Sequence, residues 1–154
     1  MLGLDQRTMK LSTRSRYGTR MMTDLADHYG SNPILLKDIA KREDISEKYL
    51  SLIVIPLKSA GLIQSVRGAH GGYSLTRRPE EITVRDILQA LEGEICLVDC
   101  VQDAKRCSRI STCPTRDIWG MLGEKISETL KAITLADLVR SRRQKADNNL
   151  MNDI

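Results

Sequence analysis

The sequence has no phenylalanine and a single tryptophan, and aromatic residues make up only 3% of its 154 positions. A core with so few rings must be built from Leu, Ile, Val, Met and Ala, and 41% hydrophobic content supplies enough of them. No apolar run approaches the roughly 18 residues a membrane-spanning helix needs. The longest, residues 50–57, is interrupted by Ser51 and Pro56. The N-terminus lacks the apolar stretch of a secretory signal, which predicts a cytoplasmic protein without a membrane partner. There is no CxxC pair, no catalytic histidine near a cysteine and no phosphate-binding loop. A thiol oxidoreductase, the competing reading from another class, lacks its chemistry, and no enzyme is expected.

Charge is unevenly spread. Residues 1–78 hold 13 Lys/Arg against 7 Asp/Glu, whereas residues 79–139 hold 7 against 11. A basic first half and an acidic second half suit a chain that faces a polyanion at one end only. The four cysteines, in a cytoplasmic setting, are expected as thiols, metal ligands or redox groups in place of structural disulfides.

Residues 1–8 carry no periodic signal and read as an N-terminal extension, with Met9 a possible native start. Ser12 is a good N-cap, and from Tyr17 to Tyr29 apolar residues recur at helical spacing. Residues 36–42 form a short helix, Asp44 sits in a tight turn, and Ser46 caps a second helix with Tyr49, Leu50, Ile53 and Leu57 inward. Pro56, which has no N–H, predicts a kink or an early end there. Residues 62–66 and 73–75 flank the glycine-rich turn Arg67–Gly72 as a hairpin. Thr83 caps a helix over 84–91. Residues 94–114 hold all four cysteines and read as a loop. From Thr115 a stripe of Ile118, Trp119, Leu122, Ile126, Leu130 and Ile133 predicts a long helix. A short apolar segment follows to Val139, and the polar residues 140–154 read as a disordered tail. No internal repeat is evident.

Two short helices, a tight turn and a glycine-tipped hairpin make a winged helix-turn-helix. The fold class is therefore mainly α, with residues 9–93 as the DNA-binding domain, 94–114 as a cysteine loop and 115–139 as a dimerisation helix with a short following helix. Asp44 tolerates the left-handed backbone such a turn requires. Ser46, Glu47, Lys48 and Tyr49, at the start of the second helix, are placed to meet base edges and phosphates in the major groove, with Ser51 and Leu52 further along the exposed side. Arg67 at the wing tip suits a narrow minor groove. Lys10, Thr13, Arg14 and Arg16 can grip phosphates. The apolar stripe is best covered by a second copy, and a homodimer matches a palindromic operator in double-stranded DNA. His28 and His70 read as a helix-end residue and a wing residue, not as ligands. Among the cysteines, three can converge from one loop on a small cluster, since thiolates suit iron–sulfur clusters or zinc; without a CxxC pair a zinc ribbon is disfavoured.

The segments Met9–Gly18, Ile45–Leu50, Ser65–Tyr73, Leu91–Gly93 and Ile133–Leu138 resemble the bacterial regulators grouped around the iron–sulfur cluster regulator IscR, with the nitric-oxide sensor NsrR and the cysteine-metabolism repressor CymR as relatives. The resemblance spans about residues 9–139. It implies a DNA-binding repressor that senses iron–sulfur cluster status and controls cluster-assembly genes, with a nitric-oxide or redox sensor of the same fold as the alternative. It implies Cys100, Cys107 and Cys113 as ligands and a [2Fe–2S] cluster ahead of a [4Fe–4S] one. The position of the histidine ligand of IscR is Arg116 here, and that of the aspartate ligand of the nitric-oxide sensors is Arg16. Neither can serve; Cys96 is the local substitute as fourth ligand, with a carboxylate or the other subunit as the alternatives. The recognition-helix glutamate that restricts operator choice in IscR corresponds to Ser51.

Overall fold

A computed structural model describes residues 10–152; the expected extension at 1–8 lies outside them. In chain order the elements are α1 (Thr13–Asp27), α2 (Leu36–Glu43), α3 (Glu47–Ser59), β1 (Ile63–Val66), β2 (Gly72–Leu75), α4 (Val84–Glu92), α5 (Asp99–Gln102), α6 (Pro114–Ala132) and α7 (Leu135–Asn152), with 3-10 turns at Pro79–Glu81 and Ala104–Arg106. The mainly helical winged helix-turn-helix architecture is as the sequence predicts. None of the described helices is long and apolar enough to cross a membrane.

The local signals act where they stand. Ser12 accepts from the Ser15 amide at 3.0 Å and Ser46 from the Tyr49 amide at 3.2 Å, so both helices begin at their caps. Asp44 is left-handed, with φ 50° and ψ 51°, and turns the chain from α2 into α3. β1 and β2 pair antiparallel, from Ile63 opposite Leu75 to Val66 opposite Gly72. Tyr73 and Ile34 exchange backbone hydrogen bonds of 2.9 and 2.8 Å, which tie the hairpin to the segment before α2. A β-carbon on Gly72, whose φ is +148°, would strike the Ile34 backbone, so only glycine lets these strands meet.

The core is aliphatic, as the missing rings require. Met21, Met22, Ile39, Leu50, Ile53, Leu57, Ile63, Ile82, Ile87 and Leu135 are almost fully buried. Gly18 is buried where α1 crosses α4, and any side chain there would overlap Leu91.

Three expectations are corrected. Pro56 does not end α3 early; the helix runs to Ser59. Its missing hydrogen bond costs about 3 kcal/mol, but Leu50, Ile53, Val54 and Leu57 hold both halves of the helix on one core at about 1.5–3 kcal/mol each. Residues 140–152 are not a disordered tail; they continue α7, so the short final segment is an 18-residue helix. Arg142 holds Glu43 at 2.7 Å and Arg143 holds Asp27 at 2.7 Å, and these ion pairs replace the absent apolar stripe. The chain also contains a short repetition. Ile82-Thr83-Val84-Arg85-Asp86 and Ile133-Thr134-Leu135-Ala136-Asp137 form matching capping boxes, with Asp86 and Asp137 each accepting from a threonine amide at 2.9 Å. The two boxes bridge antiparallel through Val84 N–H to the Ile133 carbonyl and Leu135 N–H to the Ile82 carbonyl, both 2.9 Å.

Candidate nucleic-acid interface and cysteine segment

Ser46, Glu47 and Lys48 are exposed at the N-terminal end of α3, where helix dipole and free amides favour an anion. Tyr49 is only half-buried, because its ring lies edge-on to Tyr17 with centroids 5.6 Å apart. Arg16 and Arg20 lie 5.9 and 5.6 Å from the Tyr17 ring centroid, on its cation-attracting face. This stack joins α1 to the start of α3 and fixes where Tyr49 can reach. Lys10, Thr13, Arg14 and Arg16 are exposed near the start of α1. That start is pinned by Glu92, which accepts from the hydroxyls of Ser12 and Ser15, the latter at 2.9 Å. Arg67 is exposed beside the turn, whose Gly71 N–H bonds the Gly68 carbonyl at 3.0 Å. Lys58 reaches Ser65 at 2.7 Å and ties the end of α3 to β1. The structure thus places the exposed start of α3 and the arginine-bearing wing on the same helix-hairpin unit.

Sequence reasoning overlooked two features. Ile55 is exposed on α3 in line with Leu52; the signal was its seven-residue offset from Lys48. The other is a charged cluster under the helix-turn-helix. Asp24, with 1% of its side chain exposed, receives Arg42 through two bonds of 2.8 and 2.7 Å. Glu43, 8% exposed, receives Arg20 at 3.1 Å and Arg142 at 2.7 Å. The hydrogen bond from Arg42 to Asp24 raises the arginine's pKa above its ordinary value. Buried acids in an amphipathic pattern carry no periodic signal, so only the fold reveals them.

Cys96, Cys100, Cys107 and Cys113 are half-buried free thiols. The segment folds back along α6: Arg116 donates to the Cys100 carbonyl at 3.0 Å, and Gly120 and Gly123 face Val101 and Ile95. Cys96 donates to the Val98 carbonyl at 2.9 Å. Cys113 is the N-cap of α6 and lies 3.2 Å from the Thr115 hydroxyl. That hydroxyl, with the Arg116 and Thr115 amides, lowers the thiol's pKa. Among the described residues no three His, Cys, Asp or Glu side chains are gathered as a metal site. The opposite face of α6 is bare, with Ile118, Trp119, Met121 and Leu122 40–59% exposed. His28 bonds the Asp24 carbonyl at 2.8 Å at the end of α1, and His70 is exposed in the wing.

Comparison with known proteins agrees with this geometry. A model of the Rrf2 family, described as an iron-dependent transcriptional regulator, matches residues 11–141. The chain is 47% identical over 132 residues to protein rrf2 of Nitratidesulfovibrio vulgaris, covering 86% of this chain and 88% of that one. It is 41% identical over 130 residues to the HTH-type transcriptional regulator CymR of Bacillus subtilis, covering 84% and 89%. The solved structure of T. potens IscR superposes with a TM-score of 0.72 at 40% identity, covering 87% of this chain and 88% of that one. These relatives are regulators and not enzymes, and with the matched model they show that the chain belongs to the Rrf2 family of DNA-binding transcription regulators.

Proposed function

We propose that this regulator acts as a homodimer on a palindromic operator and adjusts its grip on DNA through an iron–sulfur cluster held by Cys100, Cys107 and Cys113. In this reading Ser46, Glu47, Lys48 and Tyr49 meet the major groove, Arg67 the minor groove, and Lys10, Thr13, Arg14 and Arg16 the phosphates. Residues 9–93 are the DNA-binding domain, and the bare face of α6 meets its copy. The observation that carries the proposal is the seating of the thiol segment against the start of α6, whose other face is unpaired. Any reordering of that segment bears directly on the helix that sets the spacing of two recognition helices.

The donor set fits a cluster in kind: soft thiols close in sequence, one of them already acidified. Cys100, Cys107 and Cys113 would hold the cluster, each a half-buried free thiol of the same segment. Cys96, now bonded to the Val98 carbonyl, would be the local candidate for a fourth donor, since Arg116 has no lone pair to offer. When bound, the cluster supplies sensitivity to iron supply and oxidants, with [2Fe–2S] the favoured type. Repression of cluster-assembly genes is the regulatory outcome, by similarity to IscR.

The test is anaerobic purification followed by visible absorption and iron and sulfide assays, then DNA affinity of loaded and metal-free protein. A colourless, iron-free product removes the cluster reading. Equal affinity and operator choice in both states removes the sensing role. An unchanged spectrum in Cys96→Ala acquits Cys96. The acidified Cys113 and the likeness to CymR, the global cysteine regulator of B. subtilis, favour a second reading as a thiol redox sensor. Peroxide-dependent loss of DNA binding in iron-free protein, reversed by a thiol reductant, distinguishes it.

A further inference from the structure

Helix α3 carries two stripes at the same spacing on opposite sides. Leu50, Ile53, Val54 and Leu57 are buried, whereas Lys48, Ser51, Leu52 and Ile55 are exposed. Both sets follow i, i+3, i+4, i+7, so each is one continuous line along the helix. The outer line begins at the polar, dipole-positive end and becomes apolar after one turn. Leu52 is 53% exposed and Ile55 65%, while their neighbours Ile53 and Val54 are at most 6% exposed. The core therefore has no use for them. The Lys58–Ser65 contact keeps the wing beside this helix, and Ser46 and Lys48 lie at its open end. Any duplex that meets these residues meets Leu52 and Ile55 next.

The major groove presents one methyl group, the C5-methyl of thymine, among base edges that otherwise mostly donate or accept hydrogen bonds. A leucine and an isoleucine cannot answer those groups, and against them they would leave base atoms unpaired. Against a methyl they gain by burying it. Ser51 adds no competing donor, because its hydroxyl is bonded to the Glu47 carbonyl at 2.9 Å.

We propose that Leu52 and Ile55 are specificity-determining residues that read thymine methyl groups, so that the operator half-site carries thymines opposite the second and third turns of α3. The proposal rests on the DNA-binding reading of that helix. It is tested by selecting binding sites for the full-length protein from a random duplex library and resynthesising the preferred duplex with deoxyuridine at individual thymines. Loss of a contacted methyl is expected to weaken wild-type binding about fourfold per position. Leu52→Ala and Ile55→Ala should each lose a similar factor on the thymine duplex and become indifferent to deoxyuridine at one position. Leu52→Gln should select a different base there. Equal binding to thymine and deoxyuridine duplexes, or an unchanged consensus for Leu52→Gln, overturns the proposal while leaving the DNA-binding reading intact. Absence of any enriched sequence for the wild type overturns both. A change of mass in light scattering for Leu52→Gln, with selection unchanged, assigns the stripe to a protein contact and also overturns it.

Discussion

Residues 13–92 and residues 94–132 solve the same problem in opposite ways. The first stretch hides most of its apolar residues inside its own chain, with Leu52 and Ile55 among the exceptions: α1, α3, α4 and the hairpin close over an aliphatic core. The second leaves them outside. In α6 Gly123 is the one buried residue, and Ile118, Trp119, Met121 and Leu122 face outward. One region is finished by folding; the other has an apolar face that folding alone leaves uncovered. A mutation in the first should therefore read out as stability, and a mutation in the second as assembly.

The largest expected effect breaks the second region. In the proposed homodimer, Leu122→Glu should halve the mass seen in light scattering and weaken operator binding by about 100-fold, because two linked half-sites become two separate ones. Unchanged mass and affinity would show that α6 is not the dimer contact. Ile53→Ala tests the first region and should lower the unfolding free energy in urea by about 2–5 kcal/mol, with mass unchanged where the protein remains folded. Arg42→Ala sharpens the contrast by leaving the Asp24 carboxylate buried without its main partner. About 2 kcal/mol is expected, less than for a fully buried pair because the Arg42 side chain is 39% exposed. The smallest effect concerns pH. The Thr134 amide and hydroxyl hold the Asp137 pKa below its ordinary 3.8. This cap therefore contributes in full above that value and is lost as pH falls through the depressed folded value. Asp137→Ala should remove that step from an acid titration of helix content by circular dichroism, and an identical titration would deny the carboxylate its capping role.

Most of the fold was legible because its signals are local. Ser12, Ser46 and Thr83 start helices by bonding to amides three residues on, and Asp44 turns the chain by its own backbone. Such interactions are complete within a short window of sequence. The errors share the opposite property. Residues 140–152 are helical where the chain's local pattern is polar, and their contacts are distant: Arg142 meets Glu43, 99 residues away, and Arg143 meets Asp27, 116 residues away. Pro56 is tolerated because the core outweighs a local defect. Of the candidate site, spacing found the exposed start of α3 and the wing arginine. It could not show that Tyr49 leans on Tyr17 or that Ile55 is bare, since both depend on what packs behind them. The cysteines were found by type, but their separation and the Arg116 tether are facts of placement.

The bridge between the two capping boxes gives α6 a fulcrum. At 19 residues the helix is about 28 Å long. Its Ile133 end is bolted to Val84 at the start of α4, while Cys113 stands at the other end, against the cysteine segment. A lever so mounted converts a tilt of a few degrees at the bridge into a displacement of ångströms at the thiols.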